Sequence, residues 1–327
     1  MARVFVTGGA GFIGSALCGF LLDGGHEVTA YDNLLLGRRG FLSPYAANPR
    51  FAFVEADLLD RGRVVREMAG HTLVFHLAAN SDIGRGASQT DLDLRLGTIA
   101  THHLLDAMRL NGVGEIVFAS SSAVYGDRPR VVPTPEDCGP LFPISLYGAS
   151  KLACEGLISA FCHNFRMRAW IFRFANIIGA NGTHGAAFDF VTRLRKDPSR
   201  LTVLGDGRQA KPYLHVSDCV AGMWHGYTHA HEEINCFNLG VEGATPVSEI
   251  AAAVLREAGL DGTPIDYTGG ERGWRGDVPR VELDGRRLAA LGWRAGGSSD
   301  AAVRRGVREL VAQYFGVPGN RTPDPAA

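Results

Sequence analysis

Val4-Phe5-Val6-Thr7-Gly8-Gly9-Ala10-Gly11-Phe12-Ile13-Gly14-Ser15 is the stretch on which the reading of this chain turns. Its apolar start reads as a buried parallel strand and runs directly into glycines at positions 8, 11 and 14. The apolar positions that follow, Phe12, Ile13, Ala16, Leu17, Phe20 and Leu21, have helical spacing. Strand, glycine turn and helix together aim backbone N–H groups and a helix N-terminus at a diphosphate. Gly8 would permit the tight turn, Gly11 the approach of a ligand, and Gly14 close packing of helix on strand. Gly8, Gly11, Phe12, Ile13 and Gly14 are therefore candidate cofactor-binding residues. An ordinary glycine-rich turn would not need this flanking pattern.

A dinucleotide site of this kind carries an acid roughly 20 residues further on. Asp32 supplies one at the end of a second β-like run, Val28-Thr29-Ala30-Tyr31-Asp32-Asn33. A carboxylate there can accept both adenosine ribose hydroxyls and would repel a 2′-phosphate, which favours NAD. Arg38 and Arg39, close in sequence, keep NADP open unless they are simply part of a solvated loop.

The chain has 327 residues, room for one large or two intimate domains. A net charge of −1 gives no reason to expect nucleic acid or an anionic membrane as partner. Arg304, Arg305 and Arg308 cluster at helical spacing beside Glu309, as on a solvated helix face. The six cysteines are scattered without a C-x-x-C pair, so buried thiols in a reducing cytoplasm are expected. No Cys/His cluster has zinc-ligand spacing, so no metal is expected. With a core strand read at the start, no signal peptide is expected, and no run approaches the ~18 apolar residues of a membrane helix.

Strand-like segments at 3–7, 27–31, 51–54, 73–77, 115–119 and 168–174 alternate with helix-like ones at 12–23, 60–69, 90–111 and 145–165. Such alternation predicts an α/β fold with a doubly wound parallel sheet. Beyond 175 the pattern loosens into a loop at 179–185, a helix at 186–196 and a short strand at 201–213 broken by Gly205-Asp206-Gly207. Helices are expected at 247–258 and 299–315. The tail 317–327 lacks apolar residues to dock it and is expected to be disordered.

Tyr147 and Lys151 are four apart, one turn on one helix face if helical. A phenol with a pKa near 10 is a poor base at pH 7; a neighbouring ammonium favours the phenolate. Taken alone, the spacing also suits two unrelated surface residues. Phe118-Ala119-Ser120-Ser121-Ser122-Ala123-Val124-Tyr125-Gly126 ends the fifth strand, where ligands of open α/β sheets bind; a serine-rich turn capping the strand is the alternative. His76-Leu77-Ala78-Ala79 ends the fourth strand likewise, and the small residues would let a dinucleotide lie against the backbone. Leu77, Ala78 and Ala79 join the candidate cofactor residues, and His76 is expected to be a satisfied core histidine.

In order, Thr7-to-Gly14, Asp32-Asn33, Asp57-Leu58, His76-to-Ala79, Ser120-to-Gly126, Tyr147-to-Lys151 and Arg173-Phe174-Ala175-Asn176 are motifs of one superfamily. Gly205-Asp206-Gly207, His215-Val216-Ser217-Asp218 and Gly276-Asp277 continue the series. From about residue 2 to about 316 the chain resembles the extended short-chain dehydrogenase/reductase superfamily, the NAD-dependent sugar-nucleotide epimerases and dehydratases. Within it, the chain is most similar to UDP-glucose 4-epimerase-type members.

The resemblance implies a Rossmann-type sheet and a smaller, interleaved C-terminal α/β substrate domain. An NAD-binding domain is expected over 1–175, with 213–238 returning to it, and a substrate domain over 176–212 and 239–316. It implies Tyr147 as acid/base, Lys151 as the ribose ligand that lowers the tyrosine pKa, and Ser121 as hydrogen-bond partner of the reacting hydroxyl, with Ser122 beside it. Asp32 and Asn33 would hold the adenosine ribose, and Asp57 and Leu58 the adenine. Asn176 and Lys211 would meet the substrate diphosphate, and Arg275 and Asp277 the nucleotide. The partner implied is a nucleotide sugar, UDP-linked, and the apolar helices at 90–111 and 145–165 suggest a homodimer.

Four positions depart from the family pattern: Gly97 for an asparagine, Lys211 for an arginine, Trp274 for an arginine followed by Arg275, and Leu146 for a proline. Dehydratase relatives carry Asp-Glu where Ser122-Ala123 stand, and decarboxylating relatives carry Glu at Ala123. With no extra acid or base, the simplest outcome is epimerisation at C4 through a transient 4-keto sugar. Other sugar-nucleotide redox chemistry (a dehydratase, decarboxylase or 4-ketoreductase) and a non-catalytic NAD-binding module are the alternatives.

Overall fold

A computed structural model describes residues 1–127, 131–270, 273, 278 and 281–316. The chain divides into two compact units. The first comprises Met1–Phe174, Val220–Leu239 and Asp284–Trp293; the second comprises Ala175–Cys219, Gly240–Leu283 and the C-terminal segment from Arg294. The segment returning to the first unit thus starts at Val220, later than the 213 expected from sequence, and Asp284–Trp293 is a second return that the sequence did not signal.

The first unit is built on strands β1 (Arg3–Thr7), β2 (Glu27–Asp32), β3 (Phe51–Glu55), β4 (Leu73–His76), β5 (Glu115–Ser121) and β6 (Arg168–Phe174). With Ile234–Leu239 they form a seven-stranded sheet, paired in parallel throughout, in the order Ile234–Leu239, β6, β5, β4, β1, β2, β3. The seventh strand was absent from the sequence reading. The order reverses at β1, which pairs with both β2 and β4. The carboxyl ends on either side of such a reversal are where doubly wound sheets bind ligands.

Each strand is followed by a helix or loop whose ends the local sequence dictates. Helix α1 (Phe12–Asp23) starts from Gly11, α2 (Arg61–Glu67) is capped by Asp60 accepting from the Arg63 N–H, and α3 (Ile83–Ser88) is capped by Asp82. The expected helix at 90–111 is two pieces, a π-helical turn at Leu94–Ile99 and α4 (Ala100–Asn111). Helix α5 (Leu146–Phe165) is capped by Ser145, whose hydroxyl accepts from the Gly148 N–H. Phe5, Val74, Ile116, Phe118, Ala169 and Ile171 from the sheet pack with Val64, Leu104, Leu105, Met108 and Ile158 from α2, α4 and α5. The i, i+2 pairs 116/118 and 169/171 are the sheet's alternation. Fully buried side chains such as Leu104 and Leu105 each contribute roughly 1.5–3 kcal/mol of transfer free energy.

In the second unit, Asn176–Ile178 pairs in parallel with Tyr213–His215, Leu201–Val203 in parallel with Ile265–Tyr267, and Ala210–Lys211 antiparallel with Thr245–Pro246. The turn expected at Gly205-Asp206-Gly207 within 201–213 is present, because Gly205 and Gly207 take φ of +80° and +78°, and it separates Leu201–Val203 from Ala210–Lys211. Helices Ala186–Lys196, Val247–Glu257 and Ser299–Phe315 share a core that includes Phe190, Ile250, Val254, Val307 and Leu310. The helix Val216–His229 was not read from sequence. Among the described residues, no helix is long and apolar enough to cross a membrane.

Candidate active site

The glycine loop is shaped by contacts that no side chain could share. Gly8 has φ +69°, and a Cβ on it would lie 2.7 Å from the Ala78 nitrogen. A Cβ on Gly14 would lie 2.0 Å from the Gly8 carbonyl oxygen. Bare backbone of the loop therefore abuts Leu77–Ala78 at the end of β4. Gly11 starts α1 with no side-chain cap, and the first turn carries no carboxylate. That leaves the positive end of the helix suited to an anion.

Asp32 is 8% exposed at the end of β2. Its carboxylate accepts from the Ala10 N–H at 3.1 Å and the Leu34 N–H at 2.8 Å. It thus braces the glycine loop directly, a role the sequence did not reveal. Burial raises its carboxyl above the usual range, against those two hydrogen bonds. A carboxylate has about four acceptor positions, so two remain for ribose hydroxyls. Asn33 Nδ2 donates to Asp57 Oδ2 at 3.0 Å, and Leu58 is buried beside it. Arg39 is ion-paired with Glu55 and lies 4.9 Å from the centre of the Phe53 ring, and the Arg38 amide donates to the Ala10 carbonyl. The bare loop, the uncapped helix and the buried Asp32 together fit a dinucleotide diphosphate and ribose.

Ser121, Tyr147 and Lys151 come together where β5 ends and α5 begins. Ser121 Oγ accepts from the Ala123 N–H at 3.1 Å, and Ser121 shares a side-chain hydrogen bond with Tyr147. Lys151 is 4% exposed; its Nζ donates to the Ala119 carbonyl at 2.6 Å and lies 5.8 Å from the centre of the Tyr147 ring. Burial pushes the Tyr147 phenol up to about 12, against the pull of Ser121, and pushes the Lys151 ammonium down to about 8. This corrects the expectation of a lowered tyrosine: desolvation outweighs the Ser121 hydrogen bond, Asp93 and Cys154 add to the rise, and the Lys151 ammonium is directed at a backbone carbonyl. Ser122 opens a short 3₁₀ turn, Ser122–Tyr125, capped by Ser121.

His76 is fully buried between Thr7 Oγ1 (2.7 Å) and Thr101 Oγ1 (2.8 Å), and burial lowers it to about 3. It is a satisfied core residue. Gly97, the first departure, sits in the π-helical turn, where a Cβ would lie 2.1 Å from Ser150 Oγ.

Sequence reasoning missed a buried polar network beside this site. Glu155 accepts from Ser120 Oγ at 2.5 Å and from Arg173 through Nε (3.0 Å) and Nη2 (2.7 Å). Arg173 Nη1 donates to the Tyr125 hydroxyl and the Glu136 carbonyl, and Tyr125 donates to Asn238 Oδ1. The spacing of Glu155, four beyond Lys151, was the available signal. Asp93, 3% exposed with Oδ1 accepting from Asn80 Nδ2, gave none.

In the second unit, the Asn176 N–H donates to the Pro212 carbonyl at 3.2 Å, next to half-buried Lys211, so these two predicted residues are neighbours. Arg275, Asp277, Trp274 and the tail 317–327 lie outside the described residues. Of the cysteines, all six are free: Cys18, Cys154, Cys162 and Cys219 are buried, and Cys138 and Cys236 half-buried. Among the described residues, no group of three or more His, Cys, Asp or Glu is placed to hold a metal ion.

A seven-stranded parallel sheet with a glycine loop, an acid ending β2 and a Tyr-x-x-x-Lys helix defines a dinucleotide-binding oxidoreductase-type fold. Residues 4–240 match the model of the NAD dependent epimerase/dehydratase family, and the chain belongs to that family. It is 33% identical over 322 residues to a UDP-glucose 4-epimerase of Mycolicibacterium smegmatis, covering 96% of this chain and 98% of that one. A crystal structure of a UDP-galactose 4-epimerase superposes with a TM-score of 0.83 at 35% identity, over 94% of this chain and 98% of the other. The dTDP-glucose 4,6-dehydratase of Streptomyces venezuelae, solved with NAD bound, superposes with a TM-score of 0.86 at 29% identity, over 96% and 98%.

Proposed function

We propose that this chain is an NAD-dependent sugar-nucleotide 4-epimerase, inverting C4 of a UDP-hexose of the glucose/galactose type. The observation that carries this reading is a Ser121–Tyr147–Lys151 cluster whose adjoining residues, Ser122 and Ala123, cannot titrate. The dehydratase chemistry of some relatives needs an added acid and base there, so this cluster suits oxidation and reduction of one carbon alone. NAD, held by the glycine loop and Asp32, would supply the hydride acceptor for C4 and the donor for its return.

Tyr147 receives the proton of the O4 hydroxyl as the C4–H bond breaks, leaving a ketone, and gives that proton back when hydride returns to the opposite face. A phenol at about 12 is neutral at pH 7 in the ligand-free protein. Its use as a base depends on the Ser121 hydrogen bond and the Lys151 cation, both of which favour the phenolate. Gly8, Gly11, Phe12, Ile13, Gly14, Asp32, Asn33, Asp57, Leu58 and Leu77–Ala79 hold the dinucleotide in this reading. Ser121 and Ser122 meet the reacting end of the sugar in this reading, and Asn176, Lys211, Arg275 and Asp277 are assigned to the nucleotide sugar from the family resemblance.

The test is NMR of the purified protein with UDP-glucose, UDP-galactose and dTDP-glucose in turn. Interconversion of the two UDP-sugars without net NADH supports the reading; a 4-keto-6-deoxy product from dTDP-glucose overturns it. We further read the exposed Leu94, Ile99, Leu110 and Phe165 on the π turn, α4 and α5 as the contact of a homodimer, checked by sedimentation of a Leu110→Glu variant, which should run as a monomer. Six free cysteines suit a reducing cytoplasm.

A further inference from the structure

Three consecutive residues at the end of β5 meet three residues of α5 spaced four apart. Ala119 accepts from Lys151 Nζ at 2.6 Å, Ser120 Oγ donates to Glu155 Oε1 at 2.5 Å, and Ser121 is hydrogen-bonded to Tyr147. Residues 147, 151 and 155 form one stripe along the helix. The proposed chemistry uses the first two and leaves the third without a role.

That third contact falls where β5 needs one. The pairing of β5 with β4 stops at Phe118, while its pairing with β6 continues to Ser121. Residues 119–121 therefore have a ladder neighbour on one side only. Glu155 cannot yield to them, because both its oxygens are held by Arg173 from β6, and both side chains are buried. Arg173 is itself anchored on the Tyr125 hydroxyl and the Glu136 carbonyl.

We propose that Ser120 and Glu155 are positioning residues: the Arg173-held carboxylate pins the end of β5 to α5 and thereby sets the Ser121 hydroxyl against the Tyr147 phenol. The inference rests on the reading of Tyr147 as acid/base and Ser121 as its hydrogen-bond partner. Loss of the tether lets the last residues of β5 drift, and a misplacement of about 1 Å at a reacting group can cost ~10²-fold in rate.

Ser120→Ala removes the tether and leaves the Glu155–Arg173 pair intact, so the variant still folds; a cooperative melt, lowered by no more than the loss of one buried hydrogen bond, checks this. The charged and titratable groups acting on Tyr147 are Cys154 from α5 and Asp93 from the segment before the π turn, and Lys151 Nζ lies 5.8 Å from the centre of its ring. Ser120→Ala leaves each of them in place. The measurement is the pH titration of NAD-loaded protein carrying 13Cζ-tyrosine, with the Tyr147 signal identified by its loss in Tyr147→Phe.

The hydrogen bond from Ser121 favours the phenolate, so its misalignment in Ser120→Ala should raise the Tyr147 midpoint by about half a pH unit or more. With UDP-glucose as probe, kcat should fall ~10–10²-fold while KM changes less than about twofold. An unchanged midpoint overturns the proposal whatever the activity does. A shifted midpoint together with a fully active Tyr147→Phe leaves the positioning standing and refutes the acid/base reading instead.

Discussion

At the scale of the residue, Tyr147 has everything a proton carrier needs except a convenient pKa. Tyr147→Phe keeps the ring and its packing, so NAD affinity by calorimetry should be unchanged. Turnover of an accepted sugar nucleotide should drop ~10²–10⁴-fold, the usual contribution of positioned acid/base catalysis. Asp32→Ala removes an acceptor serving two backbone amides. The loss of a charged hydrogen bond, ~1.5–3 kcal/mol, should appear in NAD affinity, and NADP affinity should fall less. Equal losses for both would remove the reason for choosing NAD. His76 offers a pH test. Its folded value of about 3 lies below the ordinary 6.5, so the unfolded chain binds the extra proton between those values. Its contribution to stability is complete above pH 6.5 and is lost as pH falls. Urea melts should lose about 2 kcal/mol more between pH 6.5 and 5 in wild type than in His76→Asn.

At the scale of the element, the glycine loop and α1 act as one piece. Gly14→Ala would drive a methyl group to 2.0 Å from the Gly8 carbonyl oxygen. Backbone cannot turn aside as a side chain can, so α1 must shift off β1 and take its N-terminus with it. Both the melting temperature and NAD affinity should fall, the latter by at least tenfold. Gly24, at the other end of α1, meets nothing closer than the His26 ring at 3.2 Å, and Gly24→Ala should change NAD affinity by less than about twofold in the same titration. The element also explains why the site forms at the end of β5: a stripe of three α5 residues spans the strand end, and only Tyr147 and Lys151 of the three were singled out from spacing.

At the scale of the molecule, the first unit is not finished at the end of its sheet. Asp284 donates its N–H to the Thr134 carbonyl and accepts from Asn238 Nδ2, and Arg287 lies 3.5 Å from Glu136. Leu288 is buried, and Trp293 packs so near Gly222 that a Cβ there would lie 2.8 Å from its ring. A fragment ending at residue 240, where the family match stops, would leave Asn238 and Thr134 without these partners. It would also lose Leu288, whose burial alone is the kind of contact that costs ~2–5 kcal/mol to remove. The 1–240 fragment should therefore melt at lower temperature and less cooperatively than the full chain, by calorimetry.

What the sequence determined by itself is what depends on near neighbours. The period of apolar residues gave six of the seven sheet strands, the glycine spacing gave the loop, and the Tyr147–Lys151 interval gave the helix face. Conformational freedom and side-chain direction are set within a few residues, so they are legible in one dimension. The tertiary structure alone decided the seventh strand, the return of Asp284–Trp293, and the network joining Ser120, Glu155, Arg173, Tyr125 and Asn238. Tyr125 and Asn238 are 113 positions apart, and no local pattern encodes such a pairing. It also reversed the expected shift at Tyr147. A pKa follows the solvent and charges around a group, and those exist only once the chain has closed over it.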